Sequence, residues 1–221
     1  MTRKILGNPT PIRTKFGITA ALVAAVAIAG LTMTPALAAS PDAADTSLPK
    51  QTVTQTGMFA DDLKPRIDAD SDRRAVELGV RFTPSTSGTV TALQYYQGPK
   101  ATGTNTVTLW SGSGTVLASA SFSSSSTPGW RTVPLKSAVP LTAGKTYVAS
   151  YNAPNGGYPV TEQVFTQKKI LNGFAVHPGA GVYRYGSTEQ MPTASYKGSN
   201  YLVDVVFRAG STDTTPPVTP T

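Results

Sequence analysis

Residues 76–82 read Val-Glu-Leu-Gly-Val-Arg-Phe and show the cleanest alternation in the chain. Val76, Leu78, Val80 and Phe82 fall on one face; Glu77, Gly79 and Arg81 fall on the other. A period of two marks a strand with one buried face. The stretch is therefore predicted to be a central strand, with Glu77 on its open face. Further strands are predicted at 89–97 (Leu93 and Tyr95 on one face), 106–110 (Val107 and Leu109 alternating), 115–122, 130–135, 146–151 and 201–207. In the last, Tyr201, Val203, Val205 and Phe207 share one side and Leu202, Asp204 and Val206 the other, so both sides are mainly apolar. That suits a central strand between two packed layers. Residues 57–59 read as a short edge strand. Turns rich in Gly, Pro, Asn and Ser separate the runs at 84–88, 111–114, 139–145 and 152–157. From 158 to 196 the pattern blurs, and only one or two short strands are expected. The fold class that follows is all-β: a jelly-roll-like β-sandwich of antiparallel strands with long loops.

The ends read differently. Residues 1–38 have the three parts of a secretory signal: Arg3, Lys4, Arg13 and Lys15, then an apolar run at 16–31, then Ala36-Leu37-Ala38. Cleavage is expected after Ala38 or Ala39. The apolar run is short for a membrane span, so an exported, extracellular protein with no span in its mature form is expected. Residues 39–55 form a polar lead, 56–208 the sandwich domain, and 209–221 a Pro/Thr-rich tail or linker. Removing the four basic leader residues lowers the formal net charge from +7 to +3. That balance, without a clustered basic face, argues against a nucleic-acid partner. The chain has no cysteine, which excludes disulfides and thiolate metal sites.

Candidate chemistry is sparse. His177 is the only histidine, sits beside Pro178 and Gly179, and has no nucleophile elbow near it; no catalytic residue is assigned. Asp204 interrupts an apolar strand and is expected to be a partly buried structural acceptor, paired with Arg81, Arg184 or a backbone amide. Asp68-x-Asp70-x-Asp72 resembles the opening of a calcium loop, but Arg73 and Gly79 stand where such a loop needs Gly and Glu. The three aspartates are weighed as a calcium site against a solvated acidic loop neutralised in part by Arg73 and Arg74. The aromatics are the best binding clue, because sugar rings stack on aromatic planes while their hydroxyls bond Asn, Gln and Asp. Trp110 is out of phase with Val107 and Leu109, which turns it to the opposite face. Tyr183-Arg184-Tyr185 alternates and puts both rings on one surface, and Tyr158 follows the Asn155-Gly156-Gly157 turn. Trp110, Asn155, Tyr158, Tyr183, Tyr185 and Asn200 are the candidate ligand-binding residues.

The stretches AVELGVRF, TVTLWSGSGTVLASASF, GW at 129–130, LTAGKTYVASYNAPNGGY, GVYRYG and SNYLVDVVF occur in this order. Together they resemble a bacterial extracellular family known as domain of unknown function 4082, over about residues 57–207. The resemblance implies a β-sandwich module of large secreted proteins, accessory to other domains, and no particular reaction. Many relatives carry histidines in the region matching Asn152 and Gly157, which this chain lacks. Three readings follow: a non-catalytic module binding polysaccharide or a cell-surface glycan; a structural or adhesive spacer of the cell envelope without a small ligand; and an enzyme of unrecognised type. The first expects exposed aromatics beside Asn or Asp in one groove, the second buried aromatics, and the third two carboxylates in a cleft.

Overall fold

A computed structural model describes residues 55–210. The predicted leader, most of the lead and the tail lie outside the described residues. Those described form strands and loops without a helix: β1 (Gln55–Thr56), β2 (Val76–Pro84), β3 (Gly88–Gln97), β4 (Thr106–Ser111), β5 (Val116–Ser121), β6 (Gly129–Leu141), β7 (Tyr147–Ala153), β8 (Lys169–Leu171), β9 (Phe174–Val176), β10 (Gly181–Tyr185), β11 (Ala194–Ser195) and β12 (Val203–Ala209). They pair antiparallel throughout. A narrow sheet has the order β1-β12-β3-β6, and a wide one the order β11-β10-β2-β7-β4-β5, with β9 pairing the end of β2 and β8 pairing β9. The architecture is an all-β sandwich.

The alternation of β2 places Val76, Leu78, Val80 and Phe82 in one core with residues of both sheets. Ring contacts tie the layers together. Tyr95 of β3 stacks on Tyr151 of β7 at 5.1 Å. Phe174 of β9 packs edge-on against Phe82 of β2 and Phe207 of β12, at 5.7 and 5.2 Å. Each buried phenylalanine ring stabilises the fold by roughly 1.5–3 kcal/mol through the apolar surface it removes from water. β12 lies between β1 and β3, so the strand predicted to be central is central.

Four expectations are corrected. The edge strand is Gln55–Thr56, and residues 57–59 leave the ladder. The cause is Asp204, whose carboxylate accepts the N–H of Met58 at 2.7 Å and of Phe59 at 2.9 Å. Residues 139–141, predicted as part of a turn, extend β6. β6 pairs only with β3, and an edge strand is where a sheet tolerates residues without an N–H such as Pro134 and Pro140. The blurred region holds four short strands, β8 to β11. Glu77 is not on an open face: it is only 6% exposed, because residues 186–193 cross over that side of β2. Gly79 permits the crossing. A Cβ there would stand 2.6 Å from the Ala149 carbonyl and 3.3 Å from Pro192 Cγ.

A tyrosine-lined cleft as the candidate functional site

β10 lies beside β2 with Tyr183 opposite Leu78 and Tyr185 opposite Val76. Directly opposed residues in an antiparallel pair share a face, so both tyrosines point to the core side of the wide sheet. Tyr183 packs partly against the core, whereas Tyr185 is 40% exposed. Beyond them, two loop segments close over this side. Ile67 pairs with Val160 and Thr161 with Asn200, and the Asp70 N–H donates to the Tyr158 carbonyl at 2.8 Å. The Gly156-Gly157 turn sits directly on the acidic approach: a Cβ on Gly156 would stand 2.2 Å from the Asp72 carbonyl, and Gly157 N–H donates to that same oxygen at 2.7 Å. The result is a cleft of about 460 Å³ lined chiefly by Asp70, Asp72, Tyr158, Tyr183, Tyr185 and Tyr196, with Arg74, Glu162 and Tyr201 completing it. That volume falls within the roughly 300–1,000 Å³ typical of small-ligand sites.

The cleft is layered. Tyr158 and Tyr201, nearly buried, pack edge-on at 5.9 Å. Tyr183 and Tyr185 meet at 5.4 Å with planes 68° apart, and Tyr196 is half exposed. Asp72 fixes the mouth. Its carboxylate accepts Arg74 Nη2 at 2.8 Å and the Tyr185 hydroxyl, while the Arg74 guanidinium lies 3.8 Å from the Tyr185 ring centre. The Arg74 hydrogen bonds, helped by Tyr185, hold the Asp72 carboxyl well below the usual range. Burial, then the bond to Asp72, pushes the Tyr185 phenol up to about 12. Burial likewise raises the Tyr158 and Tyr201 phenols. These hydroxyls therefore stay protonated as donors. Lys197 Nζ binds both Glu162 oxygens at 3.0–3.1 Å and lies 4.9 Å from the Tyr196 ring centre. Asp70 uses Oδ1 to accept the Asp72 N–H at 2.8 Å; among the described residues its Oδ2 has no hydrogen-bond partner, nor does the Tyr158 hydroxyl. The cleft thus combines ring faces with spare donors and acceptors.

The other face of the wide sheet carries a contrasting polar group. Trp110 Nε1 donates to Ser150 Oγ at 2.8 Å, and Ser150 donates to Glu77 Oε1 at 2.6 Å. Glu189, from the crossing loop, accepts the Thr108 hydroxyl and the Ser119 hydroxyl through Oε1. Burial, with the Glu189 charge adding, pushes the Glu77 carboxyl up to about 7 against the pull of the Ser150 bond. A cavity of about 290 Å³ borders both glutamates. They meet the condition of two carboxylates in one cavity, yet each has an oxygen tied to hydroxyls of the sheet. The Glu189 bonds tie residues 186–193 to β4 and β5.

Of the candidate residues, the structure brings Tyr158, Tyr183 and Tyr185 together, and sets Asp70 and Asp72 beside them. The others lie elsewhere. Trp110 does face away from Val107 and Leu109, but it is 3% exposed and packs with Val148, Val182 and Met191. A buried indole offers no platform to a sugar. Asn155 is exposed but outside the cleft, and donates to the Thr102 carbonyl at 3.1 Å. Asn200 is 2% exposed, and its Oδ1 accepts the Leu202 N–H at 2.8 Å, where Leu202 has φ 53°. Asp68 does not line the cleft. Asp68, Asp70 and Asp72 form no metal cluster; among the described residues no group of three or more His, Cys, Asp or Glu is disposed to hold an ion. Of the two arginines weighed as neutralising the loop, Arg74 pairs with Asp72 at 2.8 Å, and Arg73 forms no ion pair among the described residues. His177 is exposed and borders a small cavity with Arg81 and Thr146 but no carboxylate. Arg74, Glu162, Tyr196 and Tyr201 are functional candidates that spacing did not select. Tyrosines flanking a Lys-Gly-Ser-Asn turn were the available signal.

The fold and cleft define a β-sandwich module with a ligand-sized groove on the core side of its wide sheet. The chain belongs to the family described as a domain of unknown function (DUF4082), whose sequence pattern matches residues 62–203. The match spans β2 to the start of β12 and takes in every residue of the cleft. No curated protein matches the chain.

Proposed function

We propose that the chain is an exported, non-catalytic accessory module that binds carbohydrate in the tyrosine cleft. The observation that carries this is the convergence of Tyr183, Tyr185 and Tyr196 with Asp70 in one cavity of about 460 Å³. Ring faces take the C–H side of a pyranose, and the spare Asp70 oxygen and Tyr158 hydroxyl take its hydroxyls. The 68° angle between Tyr183 and Tyr185 makes a pocket for one or two sugar units rather than a flat platform for a crystalline surface. A second reading, an envelope spacer without a small ligand, draws support from the burial of Trp110, Tyr95, Tyr147 and Tyr151. A glycan array followed by calorimetry separates the two. The carbohydrate reading expects saturable binding that weakens about tenfold or more in Tyr183→Ala and Tyr196→Ala, as loss of a stacked ring does. Retention of no glycan by the folded protein overturns it and leaves the spacer.

A further inference from the structure

A second cavity, of about 380 Å³, adjoins the cleft and shares Glu162 with it. Its apolar lining comes from Phe59, Leu63, Val164 and Leu171, and its rim carries Lys64, Arg66 and Lys169. All three cations are exposed, and none makes an ion pair among the described residues. Glu162, the one carboxylate in the lining, is already bound by Lys197 at 3.0 Å. The cavity is therefore positive, unlike the cleft, where Asp70 and Asp72 stand opposite a single Arg74.

The cations are set out by anchored backbone. Arg66 N–H donates to Thr161 Oγ1 at 3.0 Å, and the Leu63 carbonyl accepts Trp130 Nε1 at 2.8 Å. Lys169 and Leu171 lie two apart on β8, whose pairing with β9 fixes them on one side of that hairpin. Val160, Ser199 and Tyr201 line the cleft while Thr161, Gln163 and Asn200 line the cavity, so the Thr161–Asn200 pairing separates the two and Glu162 borders both. A polymer occupying both would cross at Glu162, the one lining residue they share.

We propose that the ligand is an acidic polysaccharide. The carboxylate of a uronic-acid residue sits among Lys64, Arg66 and Lys169, and a neighbouring sugar unit occupies the tyrosine cleft. This rests on the carbohydrate reading above and names the class of glycan. The apolar lining distinguishes a uronate from a bare polyanion, because the same ring that carries the carboxylate presents C–H faces to Phe59 and Leu171. Arg66 supplies the planar fork that matches a carboxylate in two-point contact.

The test uses the intact chain with galacturonate, glucuronate-containing and mannuronate oligomers. Each is titrated calorimetrically against its own methyl ester, with polyphosphate of similar charge as the control. At least one acid is expected to bind about tenfold tighter than its ester at low salt, with the gap closing as salt screens the exposed charges. The triple variant Lys64→Gln, Arg66→Gln, Lys169→Gln should erase that gap, bind the ester as before and melt at the same temperature. Equal binding of acid and ester, or polyphosphate binding as tightly as the acid, overturns the acidic class while leaving a neutral-glycan site standing. Binding of neither acid nor ester overturns this inference alone; the carbohydrate reading falls only when the glycan array also retains nothing.

Discussion

The two faces of β10 lead to two polar groups built on opposite rules. Toward the core side, Tyr183 and Tyr185 enter the cleft, where Asp70 Oδ2 and the Tyr158 hydroxyl have no partner among the described residues. Toward the other side, Val182 joins Trp110, Val148 and Met191, beside a chain of bonds from Trp110 through Ser150 to Glu77. Both groups hold carboxylates, hydroxyls and aromatic rings, so composition does not separate them. Exposure does. A polar group whose aromatic ring is sealed in the core holds the fold, and one whose exposed rings and spare oxygens share an open cavity is available to a ligand.

The largest effect that probes this contrast is on stability. Trp110→Ala removes a buried indole and strips Ser150 of its donor. A loss of about 3–5 kcal/mol is expected, read by urea unfolding, with glycan affinity of the remaining folded protein unchanged. Trp110→Phe keeps most of the volume and loses the single hydrogen bond, at about 1 kcal/mol. A Trp110 variant that stays folded but loses ligand would place the indole in the site and break the comparison.

Acidity gives the next effect. Burial raises the Glu77 carboxyl to about 7, and raises Asp204 to about 6 against three backbone N–H bonds. A carboxyl whose folded pKa lies above its unfolded value binds its proton more tightly when folded. Its contribution is fully present below the unfolded value near 4 and is lost as pH climbs to the folded value. For each group the change is on the order of 3 kcal/mol. Asp72 runs the other way: lowered by Arg74, it stabilises above its unfolded pKa and that stability is lost as the medium becomes more acidic. The melting temperature should therefore rise as pH falls from 8 toward about 5 and decline in stronger acid. Glu77→Gln keeps the acceptor for Ser150 and should flatten the stretch between about pH 5 and 7, leaving the share due to Asp204. A profile unchanged by Glu77→Gln would mean the carboxyl is solvated and residues 186–193 do not cover it.

Much of the fold was legible because it is periodic. The alternation at 76–82 located β2 and its core residues, and the two-sided apolar run at 201–207 located β12 between its neighbours. The failures occurred where a long-range partner decides. Glu77 reads as outward because a period of two assigns it to the second face, and nothing local shows that residues 186–193, more than a hundred positions on, cover that face. Residues 57–59 read as a strand because their capture by Asp204 is a contact across 146 positions. The site was half legible for the same reason. Tyr183 and Tyr185 follow from alternation, and Tyr158 from its place after a turn. Tyr196, Tyr201 and Arg74 enter the cleft through pairings of loops that carry no period. Trp110 shows the converse: its face was read correctly, but its exposure was set by the covering loop.

The smallest effect is the sharpest discriminator, because it applies one kind of change to both faces. Asp70→Asn leaves Oδ1 as acceptor for the Asp72 N–H and converts the unpartnered oxygen into a donor. Stability should stay within about 0.5 kcal/mol of the parent. Affinity for glycan should fall several-fold, the worth of roughly one hydrogen bond of about 1 kcal/mol to a ligand hydroxyl. Glu189→Gln makes the equivalent exchange where the carboxylate is already bound by Thr108 and Ser119. There the two hydroxyls lose a charged acceptor for a neutral one, so unfolding in urea should come earlier while affinity holds. Reversal of these two outcomes would show that a spare oxygen beside exposed rings does not mark the site in this sandwich, and the assignment of the cleft would fall with it.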